Sequence, residues 1–239
     1  MAGITCLQPY KNYISITFSI MSVLLNLSPI INFVSICRGK EKYTNIPTLM
    51  LFFGVLNNAL WGCYWGRKNE LSPCLCSVVC CIFATIYFSW YFYFVSNKSF
   101  GKFIFYVLCQ IAIEIGVIFL FYIDLIELYI IGILLIGINT FQYASPMQNL
   151  LKVIRERNHK LIPIVFTILG AICAGGWFLF GATVGDINSM ISNGLGCLSS
   201  IITILVWLYI YIKYGNKEKE EEKEEEKDEF IEKGDDEEL

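Results

Sequence analysis

The chain has 239 residues, 56% of them hydrophobic and 16% charged, with a mean hydropathy of +0.57 and a formal net charge of −3. A soluble domain is only ~45–50% apolar, so this composition excludes an ordinary water-soluble globule and points into a bilayer. The small net charge hides a split between a basic membrane face and an acidic tail, and no nucleic-acid partner is expected.

A spanning helix needs ~20 mostly apolar residues, because hydrocarbon offers bare peptide N–H and C=O groups no partner. Seven stretches qualify, at 14–36, 47–66, 73–94, 103–123, 125–150, 162–180 and 187–211. The first follows a single cation, Lys11, is too long for a secretory signal and lacks a small-residue cleavage site, so it reads as a retained span. Proline inside a spanning helix removes one backbone bond and crowds the preceding turn. Kinks or hinges are therefore expected at Pro29, Pro146 and Pro163, with Pro47 at a helix start.

The fourth stretch carries Glu114, the one acid deep in a span, with Gln110 one turn earlier as its expected partner. It reads as a protonated or hydrogen-bonded structural group, with a proton or ion site as the alternative. His159, the only histidine, falls in a basic loop from Arg155 to Lys160 and reads as a solvated surface residue. From Gly215 onward the chain turns to Lys, Glu and Asp, which cannot bury a core, so a disordered acidic tail is expected, with a transient helix as the alternative that its alternating charges allow.

Ten cysteines suggest a disulfide scaffold until they are placed. Cys37, Cys63, Cys74, Cys76, Cys80, Cys81, Cys109, Cys173 and Cys197 all fall in or beside spans, where they read as small apolar fillers. No histidine accompanies them, and no metal site or cofactor is expected. Lysine and arginine at span ends set orientation, because cationic loops stay cytosolic. Arg38, Lys40, Lys42, Lys98, Lys102, Lys152, Arg155, Arg157, Lys160 and Lys213 lie on one side, against Lys11, Arg67 and Lys68 on the other. The N-terminus is expected outside or in a lumen, and the C-terminus in the cytosol.

The chain also repeats itself. Ser28-Pro29 recurs as Ser145-Pro146, with Arg38 and Arg155 nine residues beyond the prolines; Ile46-Pro47 recurs as Ile162-Pro163. Trp61 and Trp177 follow fourteen residues later, and Ser77 and Asn193 sixteen after that, at a constant offset of 116 or 117. Such self-similarity makes the first three and last three spans copies of one unit. Three is odd, so an unpaired fourth span is needed to insert both copies the same way up, the parallel arrangement of repeats about the membrane normal.

The expected fold is an all-α integral membrane protein of seven spans, two parallel three-helix bundles joined by a linker helix. Its divisions are an extracytosolic N-terminus (1–13), a first repeat (14–96), the linker (97–124), a second repeat (125–213) and the acidic tail (214–239). A substrate site then belongs between the copies at mid-membrane. One and two turns before the Ser-Pro pairs stand Leu25 and Ser22, and Gln142 and Asn139. The second helices contribute Asn57 with Trp61 and Cys173 with Trp177, each pair four apart, and the third helices contribute Ser77 and Asn193. Amides and hydroxyls beside two indole rings suit a sugar, which needs partners for its hydroxyls and flat apolar surfaces for its C–H faces. The other reading of Asn139, Gln142 and Asn193 is helix-to-helix hydrogen bonding. Trp65, Trp90 and Trp207 read as anchors or packing.

These residues resemble the SWEET family of sugar transporters. The second copy carries most of the likeness, in Tyr143-Ala144-Ser145-Pro146, Val153-Ile154-Arg155, Ile162-Pro163, Trp177-Phe178-Leu179-Phe180-Gly181 and Ser192-Asn193-Gly194-Leu195-Gly196-Cys197; the first copy adds Ser28-Pro29, Phe33, Arg38, Lys40, Pro47, Asn57-Asn58, Trp61 and Tyr64. The resemblance implies a bidirectional facilitative carrier for a glucose-like or sucrose-like sugar, with Asn193, Trp61 and Trp177 lining its site and Pro29, Pro47, Pro146 and Pro163 as hinges. It departs from the family at Ser77, where a second asparagine is usual, and at Trp65, where glycine is usual. Sugar and membrane lipid are the implied partners, self-association is left open, and the plasma membrane or an internal one is the implied location. The alternatives are a lysosomal amino-acid exporter of the related PQ-loop type, whose Pro-Gln pair this chain lacks, and a seven-helix receptor. No nucleophile, base and orienting group can be assembled from repeated positions, so an enzyme is not expected.

Overall fold

The computed structural model describes residues 4–39, 48–96, 99–123 and 126–235. Pro47 and the cations Lys40, Lys42 and Lys98 lie outside those residues. The described residues form eight α-helices and no strand: α1 (Lys11–Leu27), α2 (Ile30–Cys37), α3 (Thr48–Arg67), α4 (Leu71–Val95), α5 (Phe100–Tyr122), α6 (Leu128–Glu156), α7 (Ile164–Val184) and α8 (Ile187–Asp235). A short 3-10 helix, Thr5–Tyr10, precedes α1.

Leu71–Val95, Phe100–Phe119, Ile164–Val184 and Ile187–Tyr214 are each long and apolar enough to cross a bilayer, and Leu128–Gln142 is a shorter apolar stretch. The first crossing is divided between α1 and α2, because Ser28-Pro29 interrupts the helix as proline chemistry demands. Its counterpart α6 stays helical through Ser145-Pro146. Pro163 corrects the sequence reading: it is the residue just before α7, with φ −73° and ψ 79°, and not a kink within it. Proline loses nothing at a helix start, where its missing N–H would have no partner anyway.

The repeat is visible in how the helices pack. In the first copy α4 packs against both α1 and α3; in the second α8 packs against both α6 and α7, so each third helix sits between the other two. The copies then meet through α1 with α7 and α3 with α6, first helix against second helix in both directions. The linker α5 packs only on α3 and α4 of the first copy among these stronger contacts, away from the meeting line. Leu60, Trp61, Tyr64 and Trp65 of α3 pack with Ile131 and Leu135 of α6 and Phe180 of α7 to form the core where the copies join.

α8 continues as helix through Asp235 and takes in the acidic tail. Glu and Lys have high helix propensity, and Glu220 with Lys223, Glu224 with Lys227 and Glu229 with Lys233 are spaced for helical charge pairing. His159 is half-buried, its ring edge-on to Trp207 at 6.0 Å and Tyr211 at 5.2 Å, not a free surface group.

Candidate functional site

A cavity of about 280 Å³ lies where the two copies meet. Of the ten residues the sequence nominated, nine line it: Ser22, Leu25, Asn57, Trp61, Ser77, Asn139, Cys173, Trp177 and Asn193. Gln142 does not. It lies almost one turn beyond Asn139, where its amide nitrogen would stand 3.9 Å from a Cβ built on Gly54, so it packs over α3. Asn26, Asn58, Trp65, Cys76, Cys80 and Ser189 also line the cavity. Sequence reasoning missed them, although Cys80 lies three residues after Ser77, on a neighbouring position of the same helix face.

The polar groups are held by bonds to their own helices or across the copies. Trp177 donates its indole N–H to Ser22 Oγ at 2.8 Å, and Ser22 Oγ lies 3.2 Å from Cys173 Sγ. Asn193 Nδ2 donates to the Ser189 carbonyl at 2.9 Å, and Ser77 Oγ to the Pro73 carbonyl at 2.8 Å. Asn139 bonds Ser192 of α8, so its amide nitrogen serves helix packing within the second copy. Asn26 and Asn58 donate back to the carbonyls of Ser22 and Gly54. Against these, Asn57 Oδ1 is buried with no hydrogen-bond partner. An unpaired buried carbonyl is costly unless a ligand or water supplies a donor.

Aromatic rings close the cavity toward the N-terminal face. Trp61 stacks on Trp65 with centroids 5.6 Å apart, while Phe180 stands edge-on to Trp65 at 5.5 Å and to Trp177 at 5.6 Å. Beyond them Asp186, 2% exposed, ties the copies together. It accepts from the Tyr64 hydroxyl at 2.6 Å, pairs with Lys68 and accepts from the Ser189 backbone N–H at 2.7 Å, capping α8. The turn that delivers it is built by Gly185, whose φ of +70° ends α7 in a left-handed conformation open to glycine. Burial opposes the Lys68 charge, but Asp186 and the Tyr64 hydroxyl favour it, and its pKa is held above the ordinary lysine value.

Glu114 stands elsewhere. Gln110 Nε2 donates to its Oε1 at 2.7 Å, as expected, and Thr85 Oγ1 donates to its Oε2 at 3.0 Å. The first bond lies within α5 and the second joins α5 to α4, beside a separate apolar pocket. No grouping of three or more metal-ligating side chains occurs among the described residues.

A sequence profile of the family described as sugar efflux transporters for intercellular exchange matches residues 12–99 and again residues 129–219. The chain belongs to this family. Its two matches coincide with the two bundles. Similar curated proteins are bidirectional sugar transporter SWEET10 of Arabidopsis thaliana, 24% identical over 83% of this chain and 70% of that one, and sugar transporter SWEET1 of Drosophila pseudoobscura pseudoobscura, 25% identical over 81% and 90%. A solved eukaryotic SWEET transporter shares the fold, with a TM-score of 0.71 at 16% identity, covering 87% of this chain and all of that one. A SWEET chain is a membrane transporter and not an enzyme.

Proposed function

We propose that the chain is a facilitative sugar carrier, a uniporter that binds one sugar in the cavity between its two three-helix repeats and exposes it to either side in turn. The observation that carries this reading is the pairing of Trp61 with Trp177 and Ser77 with Asn193 around one cavity. The indoles offer flat apolar faces to a sugar ring, and the unpartnered Asn57 carbonyl offers an acceptor to a hydroxyl. At 280 Å³ the cavity is just below the ~300–1,000 Å³ span of small-molecule sites, which favours a single sugar ring over two.

The amino-acid exporter is less favoured because no charged side chain lines the cavity among the described residues to pair with a zwitterion. The repeats are taken as 14–96 and 125–213 with the linker at 97–124, and Pro29, Pro47, Pro146 and Pro163 as the hinges. The charge distribution supports an N-terminus outside or in a lumen and a cytosolic C-terminus; the plasma membrane is the proposed location, with an internal membrane as the alternative. A tag after Leu239 reached by antibody only in permeabilised cells supports that orientation, and glycan on Asn97, two residues before Ser99 and outside the described residues, reverses it.

The test of transport is counterflow in proteoliposomes. Vesicles preloaded with unlabelled glucose are expected to take up labelled glucose faster than unloaded ones, and sucrose much less. Equal rates with and without preloading, for both sugars, overturn the carrier reading.

A further inference from the structure

A further cavity of about 730 Å³ runs between α1 and α4 on the outer surface of the first repeat, lined among others by Lys11, Ser15, Ile20, Glu70, Leu75 and Val79. Its polarity is ordered along its length. At the N-terminal end Lys11 Nζ and Glu70 Oε1 form an ion pair at 2.6 Å, both side chains partly exposed. One helical turn deeper, ~6 Å along the axis, is Ser15. It is 2% exposed, and its hydroxyl has no hydrogen-bond partner. Deeper still the walls are aliphatic and open to lipid: Ile20 is 58% exposed, Leu24 63% and Leu75 54%.

A charged pair, then an unsatisfied hydroxyl, then an aliphatic trough is the order of headgroup, glycerol ester and acyl chain in a phospholipid. We propose that this groove binds one zwitterionic phospholipid of the leaflet on the N-terminal face. The ion pair engages one oxygen of Glu70 and one N–H of Lys11, leaving donors for the headgroup phosphate and a carboxylate oxygen for the headgroup ammonium. A rotation of Ser15 about χ1 turns its hydroxyl to an ester carbonyl, removing the cost of a donor left unpaired in hydrocarbon. The acyl chain then lies along Ile16, Ile20, Leu24, Leu75 and Val79.

The site is coupled to transport through Cys76. That residue lines both this groove and the cavity between the repeats, and its thiol donates to the Ser19 carbonyl of α1. A bound chain therefore packs against the back of the wall that faces the sugar. A second copy of the protein covering the same face is the competing occupant, but the opposed charges at the mouth match a zwitterion directly.

The experiment uses the full chain in vesicles of phosphatidylcholine doped with phosphatidylethanolamine carrying a photoreactive acyl chain. After illumination, adducts are mapped by peptide mass spectrometry. They are expected on residues 16–24 and 71–79 well above the level on the exposed face of α5, and excess unlabelled phosphatidylethanolamine but not anionic phosphatidylglycerol is expected to compete. Lys11→Gln with Glu70→Gln should weaken labelling about tenfold, the scale of one charge-assisted hydrogen bond. Leu75→Trp, which fills the trough from an exposed position and spares the ion pair, should abolish labelling at monodisperse yield. Even labelling of all lipid-facing helices, labelling unchanged by Leu75→Trp, equal competition by phosphatidylglycerol, or protein–protein cross-links through this face without lipid adducts would each overturn the proposal.

Discussion

Trp177 of α7 and Ser22 of α1 are joined by an indole N–H to hydroxyl hydrogen bond of 2.8 Å, so a residue of the second repeat is oriented by a residue of the first at the wall of the cavity. This bond fixes the ring plane a sugar would stack on. Trp177→Ala removes both the ring and the bond, and Asn193→Ala removes the amide at the matched third-helix position. Each is expected to lower sugar uptake about tenfold or more while leaving insertion unchanged, since a single unpaired polar group or lost ring contact is worth at least that. Parental uptake in either variant, measured in the same vesicles, would remove that residue from the site. Trp177→Phe should be intermediate, because it keeps a ring and loses only the donor.

Gly176 of α7 lies under the Phe18 ring of α1. A Cβ built there would lie 2.2 Å from the Phe18 ring. Small residues let membrane helices pack backbone to side chain, and a methyl here must push the copies apart. Gly176→Ala is expected to cost ~1–3 kcal/mol, the usual scale of overpacking, seen as a drop of several degrees in the melting temperature of the purified protein. Phe18→Leu in the same chain should restore part of the loss.

The Tyr64–Asp186–Lys68 network joins the two copies and is expected to hold the N-terminal face closed. Asp186→Asn weakens it, and Cys76 and Cys173, which line the cavity, should then react faster with a membrane-impermeant maleimide added from that face. Unchanged reactivity would separate the network from closure. The pH dependence follows from Lys68. Its folded pKa is raised, so the stability it contributes is fully present below the ordinary lysine value of 10.5 and is lost as pH rises through the raised folded value. Closure, followed by the same labelling with a reagent whose own rate is corrected for pH, should be flat across neutral pH and loosen only in strong alkali. Lys68→Met should remove that alkaline step.

Transport is expected to be passive. Coupling to protons needs a titratable carboxyl, imidazole or amine on the substrate path, and the cavity carries amides, hydroxyls, indoles and thiols but no such group among the described residues. Glu114 is held by Gln110 and Thr85 at the contact of α5 with α4, outside the cavity. Glu114→Gln keeps an acceptor for Thr85 and should leave uptake near parental. Accumulation of sugar above the external level under an inward proton gradient, lost in Glu114→Gln, would contradict this.

The seven spans, the two copies and most of the site were legible in the sequence, because each rests on local quantities. Apolar run length decides what crosses a bilayer, and the offset between Trp61 and Trp177 or Ser77 and Asn193 survives in the order of residues regardless of how helices cross. Helical periodicity then places Ser22, Asn57 and Asn193 on plausible faces. In the tail, hydropathy reports only that residues 214–235 cannot build a core, while their backbone continues α8, in keeping with Glu and Lys helix propensity.

What the tertiary structure alone decided is which of those faces meet. α4 and α8 are wedged between the other helices of their copies, and that rotation brings Cys76, Cys80 and Ser189 to the cavity while Gln142 turns onto Gly54. Asp186 meets Tyr64 across 122 positions of chain, and the Lys11–Glu70 pair spans 59; no local pattern marks either. A buried polar group takes whichever partner the packing of distant helices supplies, so its bond is a property of the helix crossings and not of its neighbours in sequence.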